Sequence, residues 1–221
     1  MKKLFLLATT ILALSSCNVY RTISFNADHS GTMENKIDMS SMMAMMNENG
    51  GGSGMGNMND MAELDKTKAM FEGISGISNV KVSFDTTGII YNSYDFNSTE
   101  ALVNAMNSSG SATNSMMMGM AENGSSTAKM KLTFKGKKFF FEEVDKKTLK
   151  TLQDKEKQKE MGEMDMLMAS SKIITTINFP TQVKKVSYKN ASITNDKSVS
   201  YEMSMKDLTS LDYKPLTINL K

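Results

Sequence analysis

Val19-Tyr20-Arg21-Thr22-Ile23-Ser24-Phe25-Asn26-Ala27-Asp28-His29-Ser30-Gly31-Thr32-Met33-Glu34-Asn35-Lys36-Ile37-Asp38-Met39 carries the period from which the fold is read. Val19, Ile23 and Phe25 fall on one side and Tyr20, Thr22 and Ser24 on the other, because successive side chains of a strand point to opposite faces. After the polar run Asp28-His29-Ser30-Gly31 the alternation resumes with Met33, Ile37 and Met39, which predicts a β-hairpin. The same pattern returns twice. Val80, Val82 and Phe84 lead through Asp85-Thr86-Thr87-Gly88 to Ile90, Tyr94 and Phe96. Met130, Leu132 and Phe134 then lead through Gly136-Lys137 to the run Phe139 to Val144.

Helical spacing follows each hairpin. Ser40 to Asn47 begins a short helix, and Met61, Leu64 and Phe71 mark a longer one, capped by Asn59 or Asp60 and stopped by Gly73 and Gly76. A second helix runs to Met106 behind Asn97 or Ser98, with Glu100 placed to close a capping box on Asn97. A third, charged helix starts at about Asp145 and carries Leu149, Leu152, Met161, Met164 and Met168 on a narrow face. Strands follow over Ile173 to Phe179, Val183 to Tyr188, Val199 to Met205 and Leu216 to Leu220. The expected fold class is α+β: antiparallel hairpins with three main helices, arranged as three ββα units before a β-rich C-terminal segment. Met/Gly/Ser-rich flexible loops separate the units, as at Asn49 to Asn59. The expected divisions are a leader at 1–16, two ββα units over 17–107, a low-complexity loop at 108–128 and the β-rich part at 129–221, packed with 17–107 as one domain.

Lys2 and Lys3 precede an apolar run from Leu4 to Leu14, too short for the roughly 20 residues of a spanning helix and built like a secretory signal. The run ends at Leu14-Ser15-Ser16-Cys17, and Cys17 is the one cysteine of the chain. This end resembles the lipobox of bacterial lipoproteins. The resemblance implies cleavage before Cys17, a diacylglyceryl group on its sulfur and often an N-acyl chain. Two or three chains make attachment effectively permanent, because each buried methylene contributes about 0.8 kcal/mol. Asn18 follows where an aspartate would favour inner-membrane retention, so the expected location is the cell envelope, at the outer membrane rather than the inner.

A second resemblance rests on Phe179-Pro180, Val183, Val186, the Asn195-Asp196 turn and the alternation Val199, Tyr201, Met203, together with the polar turn Asp28 to Thr32. These features resemble the LppM-type domain of bacterial lipoproteins over about residues 19–40 and 172–205. The aromatic that this family often carries as Trp is Tyr201 here, and the Met-rich loops have no counterpart. The resemblance implies an envelope protein with a β-rich domain able to bind a lipid. It transfers no catalytic residue.

The whole chain has 221 residues, with 26 basic and 24 acidic side chains. Without Lys2 and Lys3 the balance is even, so nothing draws the mature chain as a whole to nucleic acid. The charge is split: 5 basic against 12 acidic residues from Cys17 to Ala128, and 19 against 12 from Lys129 to Lys221. Two solvated faces follow, or a basic half resting on anionic headgroups.

Methionine, at 23 residues, is the compositional outlier. Met116, Met117, Met118 and Met120 form a candidate soft-donor site for Cu(I) or Ag(I), set against methionine as adaptable apolar filler. His29 is the sole histidine, in a turn, so no second imidazole completes a zinc site or triad. Glu142 and Glu143 are adjacent in a strand and point apart. No nucleophile elbow, phosphate loop or dinucleotide fingerprint occurs. Asp85-Thr86-Thr87 has the form of a bacterial O-glycosylation signal, with Thr86 as acceptor. The expected function is therefore a non-enzymatic, membrane-anchored binding or scaffolding module without cofactor beyond its covalent lipid. Its expected partners are the membrane through the lipid anchor, an envelope protein or a lipid. A lipid carrier and a Cu(I)-binding protein are the alternatives.

Overall fold

Eleven strands, most of them built on alternating apolar residues, and two helices are present in a computed structural model that describes residues 18–41, 43, 61–117, 129–143, 171–204, 207 and 213–221. In chain order these are β1 (Asn18–Phe25), β2 (Gly31–Asp38), α1 (Met61–Glu72), β3 (Ile77–Phe84), β4 (Ile89–Phe96), α2 (Thr99–Met117), β5 (Lys131–Lys135) and β6 (Lys138–Glu142). The remainder are β7 (Lys172–Asn178), β8 (Val183–Val186), β9 (Ala191–Asn195), β10 (Ser198–Ser204) and β11 (Leu216–Leu220). They form a seven-stranded sheet in the order β3-β4-β2-β1-β7-β10-β9 and a four-stranded sheet in the order β5-β6-β11-β8.

The large sheet is mixed, which corrects the expectation of purely antiparallel sheets. β1 pairs with β2 antiparallel and with β7 parallel, Val19, Arg21 and Ile23 lying opposite Ile173, Thr175 and Ile177. Both strands present apolar residues on one parity, so their side-by-side pairing makes a continuous buried stripe.

The three ββα units are also corrected. The first two hairpins are neighbours in the large sheet through the β2–β4 pairing, whereas the third, β5–β6, starts the small sheet. The described residues hold two main helices where three were expected; the third, from about Asp145 to Met168, falls outside them. β9 is an edge strand that the alternation did not announce. Its residues after Ala191 are all exposed, so no buried stripe marks it.

Both helices and the small sheet lie against one face of the large sheet. Phe71 of α1 packs on Tyr94 of β4 with ring centroids 5.1 Å apart. Phe25 of β1 meets Phe134 and Phe139 of the small sheet at 5.1 and 5.7 Å, edge to face, and Phe96 and Phe179 at 5.6 and 6.0 Å. Such pairs contribute about 0.5–1.5 kcal/mol each beyond the area they bury. Met33, Met39, Met106, Met130 and Met203 fill the same interior.

The start of α2 departs from the capping box expected at Asn97. Ser98 is the cap: its hydroxyl accepts from the Ala101 N–H at 3.2 Å, and its carbonyl takes the Leu102 N–H. Asn97 instead stands against Gly76, whose φ of +85° and close approach to the Asn97 side chain both require glycine.

Candidate functional site

Strand parity and register place two rows of chemistry on opposite faces of the large sheet. On the inner face, Asn92, Asn35, Arg21, Thr175 and Tyr201 lie side by side across β4, β2, β1, β7 and β10. Apolar rows flank this polar one: Ile90, Ile37, Val19, Ile173 and Met203 on one side, and Met33, Ile23, Ile177 and Val199 on the other. Asn35 donates to Asn92 at 2.7 Å.

Arg21 is 8% exposed and its partner Glu143, just after β6, is 4% exposed. Arg21 Nη1 donates to both Glu143 carboxylate oxygens, at 2.9 and 3.0 Å. The Tyr201 hydroxyl donates to Glu143 Oε1 at 2.6 Å, and the Glu143 N–H donates to the Tyr213 hydroxyl at 2.8 Å. Burial is the largest single influence and pulls the Arg21 guanidinium down, but the charge and hydrogen bond of Glu143 together with Tyr201 and Tyr94 leave the group above its ordinary value. Burial first, and then the Glu143 charge, holds the Tyr201 phenol well above the usual tyrosine range. Both carboxylate oxygens are committed to these partners. The cluster is therefore a buried clamp that ties β1 and β10 of the large sheet to the end of β6. Arg21 Nε and Tyr94 Oη are buried beside it without a partner among the described residues.

The outer face carries nothing of the described helices or small sheet. Its rows read Tyr91, Lys36, Tyr20, Ile174 and Glu202; then Lys81, Ser93, Glu34, Thr22, Thr176 and Ser200; then Asp95, Thr32, Ser24, Asn178 and Ser198. Lys36 Nζ sits 5.4 Å from the centre of the Tyr20 ring, and Lys172 pairs with Glu202 at 2.8 Å. Asn178 donates to Ser24 at 2.9 Å and accepts from Ser198 at 2.6 Å. A β-bulge in β3, with Asn79 at φ 53°, opens a shallow cleft of about 400 Å³ beside Thr32, Glu34, Asn79, Lys81, Ser93 and Asp95. The face is polar and hydroxyl-rich, with two exposed tyrosines.

The residues singled out from sequence lie apart. Cys17 precedes the described residues by one position, so β1 starts immediately after it. Thr86 is exposed in the β3–β4 turn, where Asp85 Oδ1 accepts from the Thr87 hydroxyl at 2.7 Å and from the Thr87 and Ile89 N–H groups. The Thr87 hydroxyl chiefly, with these N–H groups, holds the Asp85 carboxyl below its usual range. Met116 and Met117 end α2, Met118 and Met120 follow it, and all four side chains lie outside the described part. His29 is exposed in the β1–β2 turn and stacks on Phe134 with ring centroids 4.0 Å apart. Arg21 and Glu143 are the pair that sequence reasoning missed. The one available signal was parity, since Arg21 shares the side of Val19, Ile23 and Phe25.

No family model and no curated protein matches the chain. Among solved structures, the chain is similar to the folded domain of LppM from Mycobacterium tuberculosis, determined by NMR, with 13% sequence identity and a TM-score of 0.46. The alignment covers 93% of this chain and 89% of that one. No helix among the described residues is long and apolar enough to cross a membrane.

Proposed function

We propose that this protein is an envelope lipoprotein held by lipid on Cys17, at the outer membrane, whose folded part is a non-enzymatic binding module. Its docking surface is the outer face of the large sheet, and its partner is another envelope protein with a polar surface. One observation carries the reading: one face of a seven-stranded sheet is packed by two helices and a second sheet, while the other presents, beyond the row of Tyr20 and Tyr91, the rows of Ser93, Thr22, Thr176 and Ser200 and of Thr32, Ser24, Asn178 and Ser198. Sheets built mostly of antiparallel pairs commonly leave one face to solvent, and a broad hydroxyl- and amide-rich face can pair with a polar surface through many hydrogen bonds.

The interior between the sheets is filled by Phe25, Phe134, Phe139 and Phe179, which supports a binding surface over a lipid carrier. Use of methionine as core filler at Met33, Met39 and Met203 supports the same choice over a copper site. The test is photo-crosslinking in cells from Ser93 and Thr176 on the outer face, with Thr67 of α1 as the off-face control. One discrete protein adduct from the first two positions and none from the third is the expected result. Equal labelling from all three overturns the assigned surface, and release of the Cys17→Ser chain from the membrane fraction checks the anchor.

A further inference from the structure

The way β1 begins sets how such a module meets its membrane. We infer that the anchor-proximal end of the large sheet is itself a lipid-contacting seat, with Tyr20 and Tyr91 in the headgroup layer. This rests on the anchor at Cys17 and adds a second, non-covalent contact to it.

Length is the first argument. No residue separates Cys17 from Asn18, the first residue of β1, so there is no tether to let the module swing free. Acyl chains hold the cysteine at the boundary between tails and headgroups. Tyr20 lies three strand positions on, at most about 10 Å away at 3.3–3.4 Å per residue. The polar zone on each side of the hydrocarbon core is itself roughly 5–8 Å deep. Its ring therefore falls within or at the edge of the headgroups.

Register is the second. The row Ile89, Asp38, Asn18 and Lys172 forms the end of the sheet beside the anchor. The next outward row is Tyr91, Lys36, Tyr20 and Ile174. Tyr20 is 37% exposed and Tyr91 42%, and they are two of the four large hydrophobic residues exposed among those described. Both stand in this one row, with the Lys36 ammonium over the Tyr20 ring. Tyrosines with an apolar body and a polar tip, flanked by a lysine, are the residues that the bilayer interface favours.

Charge is the third. Among the described residues of these two rows Lys36 is matched by Asp38 two positions on, and Lys172 is paired with Glu202, so they carry no basic excess. The seat is interfacial and does not require anionic lipid. It leaves the outward rows of Thr22 and Ser24 clear of the bilayer, and the β1–β2 turn rises about 27 Å from the anchor along an eight-residue strand.

The chain has no tryptophan, so single substitutions make unique reporters. The full lipidated protein carrying Tyr20→Trp, Tyr91→Trp or Ala27→Trp is reconstituted into phosphatidylcholine vesicles, with and without phosphatidylglycerol. A headgroup spin-labelled phosphatidylcholine is the quencher. Emission from positions 20 and 91 is expected to fall at least about twofold in both vesicle types, with little change from position 27 in the distal turn. A chain that co-floats with vesicles but is quenched no more at 20 and 91 than at 27 overturns the seat and keeps the anchor. A chain that does not co-float overturns the anchor and the seat with it. Photo-crosslinks from position 91 to a protein in place of lipid also overturn the seat.

Discussion

Glu143→Gln isolates the charge in the buried clamp, because glutamine fills the same volume and keeps an oxygen to accept from Tyr201 and Arg21. Glu143 is 4% exposed and Arg21 8%, so neither charge has water to fall back on. With charge centres about 4 Å apart and an effective dielectric near 20, their attraction is about 4 kcal/mol. Removing one partner of a buried pair typically costs about 3–5 kcal/mol. Arg21 cannot relieve the loss by giving up its proton, so the expected destabilisation is about 3 kcal/mol, toward the lower end because the amide oxygen keeps two of the three hydrogen bonds, from Tyr201 and from Arg21. The assay is urea unfolding of the purified protein followed by circular dichroism, with a lowered midpoint and unchanged slope. The double variant Arg21→Met/Glu143→Met removes both charges and should recover most of the loss. Its residual cost is the Tyr201 hydroxyl left without an acceptor, about 1 kcal/mol. A Glu143→Gln protein within about 0.5 kcal/mol of the parent would refute the reasoning, since effects that small belong to surface sites. So would a double variant no more stable than the single.

Two further outcomes follow from contacts of the same kind. In β2, a Cβ on Gly31 would meet the Ser24 carbonyl and lie 2.8 Å from Phe96 Cζ, so Gly31→Ala should cost about 2–3 kcal/mol in urea unfolding. Gly136→Ala, at φ +57° with nothing within 4 Å, should cost only the left-handed penalty of about 1–2 kcal/mol; equal losses at the two sites would contradict this. Tyr94 and Tyr201 have folded values raised by burial above the ordinary 10.0. Their contribution to stability is thus complete below that pH and is lost as pH climbs toward the folded values. In an alkaline titration their tyrosinate absorbance should appear only together with loss of near-ultraviolet circular dichroism, and ionisation of all six tyrosines before unfolding would count against it.

Local chemistry made much of this fold legible. The parity of Val19, Ile23 and Phe25, of Val80 and Phe84, and of Ile173 and Ile177 is imposed by the backbone of each strand, so it can be read without knowing a neighbour. β9 escaped because an edge strand needs no buried stripe, only backbone bonds to β10. The capping box at Asn97 failed for a related reason: the Asn97 N–H that it would use donates to the Gly76 carbonyl, and Ser98 takes the cap. Arg21 was the hardest to read. A charged residue on the buried parity has meaning only once its counter-charge is known, and Glu143 stands 122 residues away.

By itself, then, the sequence determined the α+β class, the hairpins and the resemblance of the chain's start to a lipoprotein signal, since each depends on residues within a few positions of one another. Only the tertiary structure decided that β1 lies parallel to β7, bringing Ser24 to Asn178 across 154 residues. It alone set Tyr20 and Tyr91 in one row of a face that the described helices and small sheet leave open, and sealed Arg21 against Glu143. Period two says which side of a strand a residue takes; which strand lies alongside it is settled by the burial and pairing of the whole chain at once.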